Sequence, residues 1–71
     1  MFAMEYKTLG AKILYYRRIK GLTQEKLSEM AGVSRARISD IERGKGPHNT
    51  NSLLLIAKAL EVDVAELMSK E

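Results

Sequence analysis

Apolar residues recur along the chain at the three- and four-residue spacing of helices, and short polar or glycine-containing segments separate these runs. No long alternation of apolar and polar residues indicates a β-strand. The pattern predicts an all-α fold of five short helices over these segments: about 8–19, 24–31, 35–43, 49 or 50 to 60, and a last turn or two after Asp63.

The predicted core lies on one face of each helix. Its members are Leu9, Ile13, Tyr16, Leu27, Ala31, Ile38, Ile41, Leu53, Ile56, Ala57 and Leu60, and Val33 fills the angle between the second and third helices. Residues suited to N-caps precede the helices, namely Thr8, Thr23, Ser34 and, as a capping-box-like pair, Asp63 with Glu66. Gly21 suits the left-handed position that ends a helix, and Gly32 permits the sharp turn between the second and third helices.

A chain of 71 residues has room for one core. We assign residues 1–7 to an N-terminal arm, which is either frayed or packed on a neighbour, and residues 8–71 to a single domain. The absence of cysteine excludes disulfides and thiolate metal sites, and with His48 as the one histidine we expect neither metal nor cofactor. No apolar run reaches the roughly 20 residues of a membrane span, and the start lacks the order of a signal peptide. We therefore expect a cytoplasmic protein with no membrane partner.

Positive charge is concentrated in the middle of the chain, although the formal net charge is only +3. Eight of the twelve basic residues lie between positions 17 and 45: Arg17, Arg18, Lys20, Lys26, Arg35, Arg37, Arg43 and Lys45. The same stretch contains two short predicted helices joined by a tight turn, from Thr23 to Gly44. That combination is typical of a helix-turn-helix, which places its second helix in the major groove of DNA.

A helical wheel of the third helix places Ile38 and Ile41 on the buried side. Ala36, Ser39, Asp40 and Arg43 lie opposite, with Arg35 and Arg37 at the flanks. A small residue ringed by long donors suits a groove-reading helix, and arginine can bind guanine bidentately. Such arginines also occur on ordinary solvated faces, but the preceding helix, the turn and the basic loop favour DNA reading.

Asp40 is unusual on such a surface. Its carboxylate is suited to accept a hydrogen bond from a cytosine amino group. The alternative is that it holds Arg43 or Arg37.

The chain resembles the Cro/repressor class of helix-turn-helix regulators, the XRE-like family, from about Leu9 to Met68. Four motifs carry the resemblance: Arg17-x-x-Lys-Gly-Leu-Thr-Gln24, Leu27-x-x-x-Ala31-Gly-Val-Ser34, Ile38-x-x-Ile41-Glu-Arg-Gly-Lys45 and Leu53-x-x-Ile-Ala-x-Ala-Leu60. The resemblance implies a compact five-helix domain like that of lambda repressor, with its third helix in the major groove. It also implies that Gln24 touches a phosphate and braces Arg35.

The resemblance and the helical wheel together assign the candidate DNA contacts. We predict that bases are read by Arg35, Ala36, Ser39 and Asp40. We predict that phosphates are bound by Gln24, Ser34, Arg37, Arg43, Lys45 and Asn49. Pro47 stands one place early for the family, and Thr50 replaces a commonly apolar residue, so the loop between Gly44 and Asn49 could follow another path. His48 either touches a phosphate or is simply solvated.

Arg17 and Glu42 are predicted to form a structural ion pair. On their wheels both lie at the edges of the buried stripes, where an unpaired charge is costly. The family pattern pairs an arginine at the first position with a glutamate at the second. The alternative is two independent surface charges.

Several apolar residues fall outside the inward stripes: Leu14, Tyr15, Leu54, Leu55, Val64 and Met68. A contiguous patch of this kind suggests an interface. We expect a homodimer that uses Leu54, Leu55, Val64 and Met68, because two modules about 34 Å apart read a palindrome. Leu14 and Tyr15 could instead pack against Phe2 or Tyr6 of the arm.

The predicted function is a sequence-specific regulator of transcription, a repressor or controller that occupies a palindromic operator on double-stranded DNA. It would block or recruit RNA polymerase, and no small-molecule ligand is evident. An alternative is an antitoxin-like interaction module that also binds its own operator. The sequence shows no pairing of a nucleophile with a base, so we do not predict an enzyme.

Overall fold

The computed structural model describes the backbone of residues 2–45 and 49–68, and the side chains of residues 8–45 and 49–68. It contains the helices α1 (Phe2–Ile19), α2 (Gln24–Ala31), α3 (Arg35–Glu42), α4 (Thr50–Leu60) and α5 (Val64–Met68). These ranges hold no β-strand, and the predicted all-α fold class is confirmed. None of the described helices is both long and apolar enough to cross a bilayer.

The start of the first helix differs from the prediction. α1 begins at Phe2, so Thr8 lies inside the helix and is not its N-cap. Residues 3–7 include alanine, methionine, glutamate and lysine, which are strong helix formers, and no glycine or proline interrupts them. The backbone of positions assigned to an arm therefore continues α1.

The other helices begin at capping residues. The Thr23 hydroxyl accepts from the Lys26 amide at 3.0 Å, and the Asn49 side chain accepts from the Ser52 amide at 2.7 Å. Such a bond satisfies one of the amides that a helix start leaves without a partner, and it stabilises the helix by about 1 kcal/mol. The starts of α2 and α3 were predictable because these signals are local.

α4 ends on a strained residue. Glu61 adopts the left-handed conformation with φ of 61°, where a side chain is usually disfavoured. Its amide reaches back to Ala57 and Lys58, and its carboxylate accepts from Lys20 Nζ at 2.8 Å. That lysine lowers the pKa of the Glu61 carboxyl.

The core joins all five helices. Its buried members are Leu9, Ile13, Leu27, Ala31, Val33, Ile38, Ile41, Leu53, Ile56, Ala57, Leu60 and Leu67. Tyr16, predicted as a core residue, is only half-buried and packs against this cluster. α1 packs on α3 and α5, and α2 packs on α3 and α4. α3 is therefore held from two sides, and the rest of its surface is left for solvent.

The short helix α5 is tied to α1. Asp63 caps it, since its carboxylate accepts from the Ala65 amide at 3.2 Å. Glu66 does not complete a capping box; its carboxylate accepts instead from the Tyr16 hydroxyl at 3.0 Å, and its carbonyl accepts from Lys12 Nζ at 3.0 Å. The bond to the Glu66 carboxylate raises the pKa of Tyr16.

Gly10 brings the backbones of α1 and α3 into direct contact. A Cβ atom at this position would collide with the carbonyl oxygen of Ile41 and would lie 2.8 Å from that of Glu42. Both obstacles are main-chain atoms at the end of α3, so they cannot turn aside as a side chain does. Glycine in the middle of a helix is otherwise unfavourable, and here the close approach explains it.

We predict that Gly10→Ala destabilises the domain. Relief of the helical cost of glycine would contribute roughly 1 kcal/mol, but the displaced α3 backbone should cost more, since overpacking costs about 1–3 kcal/mol or more. Urea unfolding followed by circular dichroism measures the difference. The exposed neighbour Ala11 supplies the control, because Ala11→Gly should show the propensity cost alone. A Gly10→Ala variant more stable than the parent would contradict the close approach.

Candidate nucleic-acid interface

The turn between α2 and α3 is built from three consecutive residues. Gly32 adopts φ of 71° and its amide bonds to the Ser28 carbonyl at 2.9 Å, which ends α2. Val33 is buried and anchors the turn in the core. The Ser34 hydroxyl then accepts from the Arg37 amide at 3.1 Å, which starts α3. The arrangement is a helix-turn-helix with α3 as its second helix.

α3 has a buried side and an open side. Ile38 and Ile41 are fully buried. Arg35, Ala36 and Arg37 are exposed, whereas Ser39 and Asp40, which were predicted to read bases, are half-buried. The open side therefore presents a small residue between two long cations, which is the surface that a helix needs to approach base edges.

Arg17 of α1 and Glu42, the last residue of α3, form an ion pair. Arg17 Nε donates to Glu42 Oε2 at 2.6 Å, and Arg17 Nη2 donates to Oε1 at 3.1 Å. Only 12% of the arginine side chain and 5% of the glutamate side chain are exposed. Arg17 Nη1 also donates to the Leu22 carbonyl at 2.8 Å. This bidentate pair connects α1 and the loop after it to the end of α3.

Gln24 joins the same cluster, a contact that the sequence analysis missed. Its amide nitrogen donates to Glu42 Oε1 at 2.9 Å, whereas the family resemblance implied a contact with Arg35. Arg35 is exposed to solvent, while the buried carboxylate offers a free lone pair. Gln24 and Arg35 still line one cleft, together with Arg17, Thr23 and Glu25. A polar residue at the first position of α2 was the available signal.

Asp40 holds the two cations that follow α3. Its Oδ1 lies 2.9 Å from Arg43 Nη2 and 4.0 Å from Lys45 Nζ. The Lys45 amide also bonds to the Asp40 carbonyl at 3.0 Å. Of the two roles considered for Asp40, an ion pair with Arg43 is present. We call Asp40, Arg43 and Lys45 the acidic-basic cluster.

The two capping residues among the predicted phosphate contacts keep donors available. Ser34 and Asn49 use an oxygen to accept from a backbone amide. A hydroxyl proton and the two protons of a side-chain amide remain for another acceptor. Both side chains are exposed at the starts of α3 and α4. His48 and Pro47, by contrast, lie outside the described residues.

The apolar residues predicted to form a dimer interface lie on α4 and α5. Leu54, Leu55 and Met68 are 47%, 37% and 58% exposed. Val64 is half-buried and packs against the core. A second exposed apolar group lies on α1, where Tyr15 and Ile19 are about 60% exposed.

Residues 13–67 match the protein family described as helix-turn-helix, over most of the chain. The chain belongs to the XRE-like helix-turn-helix family of DNA-binding regulators of transcription. The membership predicted from the four motifs is confirmed.

Two curated relatives and one solved structure illustrate the family. The control protein C.SmaI of Serratia marcescens is 33% identical over 63 residues, which cover 89% of this chain and 75% of that protein. The transcriptional activator BcrR of Enterococcus faecalis is 47% identical over 60 residues, which are 84% of this chain but only 29% of that protein. The restriction-modification controller protein C.AhdI of Aeromonas hydrophila has a TM-score of 0.83 and 31% identity, with 87% of this chain and 94% of that chain covered.

We predict that Glu42→Ala lowers the free energy of unfolding by about 3–5 kcal/mol, because it leaves the Arg17 guanidinium buried without its carboxylate. Replacing both partners, as in Arg17→Met/Glu42→Leu, should recover much of the loss, since a buried pair is often no more stable than an apolar one. Urea unfolding measures all variants. Glu61→Gln, which removes the charge of an exposed ion pair, should change little and serves as control. Equal small effects at Glu42 and Glu61 would show that the bond does not hold α3.

Proposed function

We propose that this protein binds a specific operator on double-stranded DNA by inserting α3 into the major groove, and that it does so as a homodimer on a palindromic site. The main support for the proposal is the exposed face of α3. The buried bond between Arg17 and Glu42 holds that helix in position. A reading helix must be rigid, because a misplaced donor forms no bidentate contact. In this role the protein binds DNA in the cytoplasm and catalyses no reaction.

The base contacts are assigned to Arg35, Ala36, Ser39 and Asp40. Arg35 is exposed at the N-terminal end of α3, and in a helix-turn-helix the first residues of the second helix contact base edges. Its guanidinium fits the O6 and N7 atoms of guanine. Ala36 permits close approach, and Ser39 can donate or accept one turn further on.

The phosphate contacts are assigned to residues around this helix. They are Gln24, Ser34, Arg37, Arg43, Lys45 and Asn49, which come from the starts of α2, α3 and α4 and from the loop after α3. Exposure of both Arg43 and Lys45 supports their role, since about two-thirds of each side chain is accessible. Helix starts add to the attraction because their free amides favour an anion.

Regulation would follow from occupancy of the operator. A bound dimer blocks RNA polymerase or recruits it, according to where the operator lies. The relatives support both outcomes, because BcrR is named an activator and the similar immunity repressor protein of Bacillus phage phi105 is named a repressor. The dimer is supported by the exposed apolar residues Leu54, Leu55 and Met68, with Val64 beside them.

We predict that Arg35→Ala and Lys45→Ala weaken DNA binding in different ways. Selection from a random pool of duplexes first defines the operator. Arg35→Ala should weaken operator binding about tenfold or more and relax the preference at one base, since a bidentate contact is worth about 1–3 kcal/mol. Lys45→Ala should weaken all duplexes nearly equally and reduce the slope of log affinity against log salt by about one. Two variants that bind all DNA as the parent does would show that α3 is not the reading helix.

We predict that Leu54→Ser or Leu55→Ser shifts the chain from dimer to monomer, because each removes exposed apolar area from the proposed interface. Sedimentation equilibrium at micromolar concentration measures the shift. Ile19→Ser is the matched control from the apolar group on α1, and it should leave the dimer intact. If Ile19→Ser alone dissociates the dimer, the interface lies on α1 instead.

A further inference from the structure

In the acidic-basic cluster, a carboxylate of α3 pairs with two cations that are proposed to bind phosphate. Asp40 Oδ1 lies 2.9 Å from Arg43 and 4.0 Å from Lys45, and its side chain is 45% exposed. A phosphate and this carboxylate have the same charge and the same acceptor chemistry, so they compete for the same donors. The cations are therefore already partnered before any DNA is present.

We propose that Asp40 is a specificity-determining residue, which weakens binding to non-cognate DNA by holding Arg43 and Lys45. The inference rests on the proposed role of α3 as the reading helix. On any duplex, a phosphate that recruits these cations must displace Asp40 or lie near its charge, and like charges at close range repel. This cost applies to every sequence alike.

The operator differs because it can offset the cost. Among the described residues, the hydrogen bond from Arg43 goes to Oδ1 of Asp40, which leaves Oδ2 as an acceptor for another donor. A carboxylate in the major groove accepts well from the amino group of cytosine, whereas guanine presents acceptors that repel it. A site that presents an amino group opposite Asp40, cytosine above all, therefore compensates for the displaced ion pairs, whereas a site that presents only acceptors does not. Asp40 therefore converts a general attraction for phosphate into a preference for DNA that presents an amino group at this position.

The test measures binding of Asp40→Asn to the operator selected by the parent and to a scrambled duplex of equal length. Fluorescence anisotropy over a salt series from about 50 to about 200 mM gives both affinities and both slopes. We expect the scrambled duplex to bind about two- to fivefold tighter, the range set by an exposed ion pair. Binding to the operator should gain less or weaken, so the ratio of operator to scrambled affinity falls.

Glu29→Gln is the matched control. Glu29 lies 3.7 Å from Lys26 on α2, with the same three-residue spacing as the pair between Asp40 and Arg43. Its substitution changes the net charge by the same amount but touches none of the proposed DNA contacts. Any effect of total charge alone appears in both variants, and the local effect appears only in Asp40→Asn.

A second arm tests the route through the two cations. In an Arg43→Ala/Lys45→Ala background, Asp40→Asn should no longer tighten binding to the scrambled duplex beyond the Glu29→Gln control. The inference is overturned if the scrambled duplex binds no tighter in Asp40→Asn than in the control, if the affinity ratio is unchanged, or if the gain persists without the cations. Failure of the proposed function is a separate result, since it appears as a parent that selects no sequence and does not depend on Arg35.

Discussion

The carboxylate of Glu42, buried at the end of α3, is the point at which three segments of the chain are joined. Arg17 from α1 donates two hydrogen bonds to it, from Nε to Oε2 and from Nη2 to Oε1. Gln24, at the start of α2, also donates to Oε1. A carboxylate that is 5% exposed is tolerable only with such partners. The position of α3 relative to α1 and α2 follows from that requirement, and the outward face depends on it.

The same interaction separates the partly buried polar groups that hold α3 from the exposed ones on its open side. Arg17 and Gln24 donate to Glu42, while Arg35 is exposed and lines the cleft beside them. The acidic-basic cluster repeats this pairing on the outside of α3, where exposed charges exchange partners easily. Two carboxylates of α3 therefore behave differently. The buried carboxylate of Glu42 keeps its partners, whereas the exposed carboxylate of Asp40 competes with other anions for its cations.

Local signals account for what could be predicted. Thr23 and Ser34 predicted the starts of α2 and α3 because a cap acts within three residues, whereas the start of α4 was left open between Asn49 and Thr50. The spacing of Ile38 and Ile41 showed which face of α3 is buried. The predicted start of α1 was wrong. Thr8 is a residue suited to an N-cap, but no glycine or proline before it prevents the helix from beginning earlier. The bond from Gln24 to Glu42 joins residues 18 apart, and a sequence shows which groups need partners but not which neighbour supplies them.

Gly10 has a consequence for how such a protein can change. At Gly10 the main chain of α1 lies directly against main-chain carbonyls at the end of α3, so this contact involves no side chain on the open face of α3. The outward residues of α3 are thus free to vary without altering how the helix is held. With α3 as the proposed reading helix, substitutions on its surface alone would change the DNA sequence that the protein recognises, and the scaffold would stay unchanged.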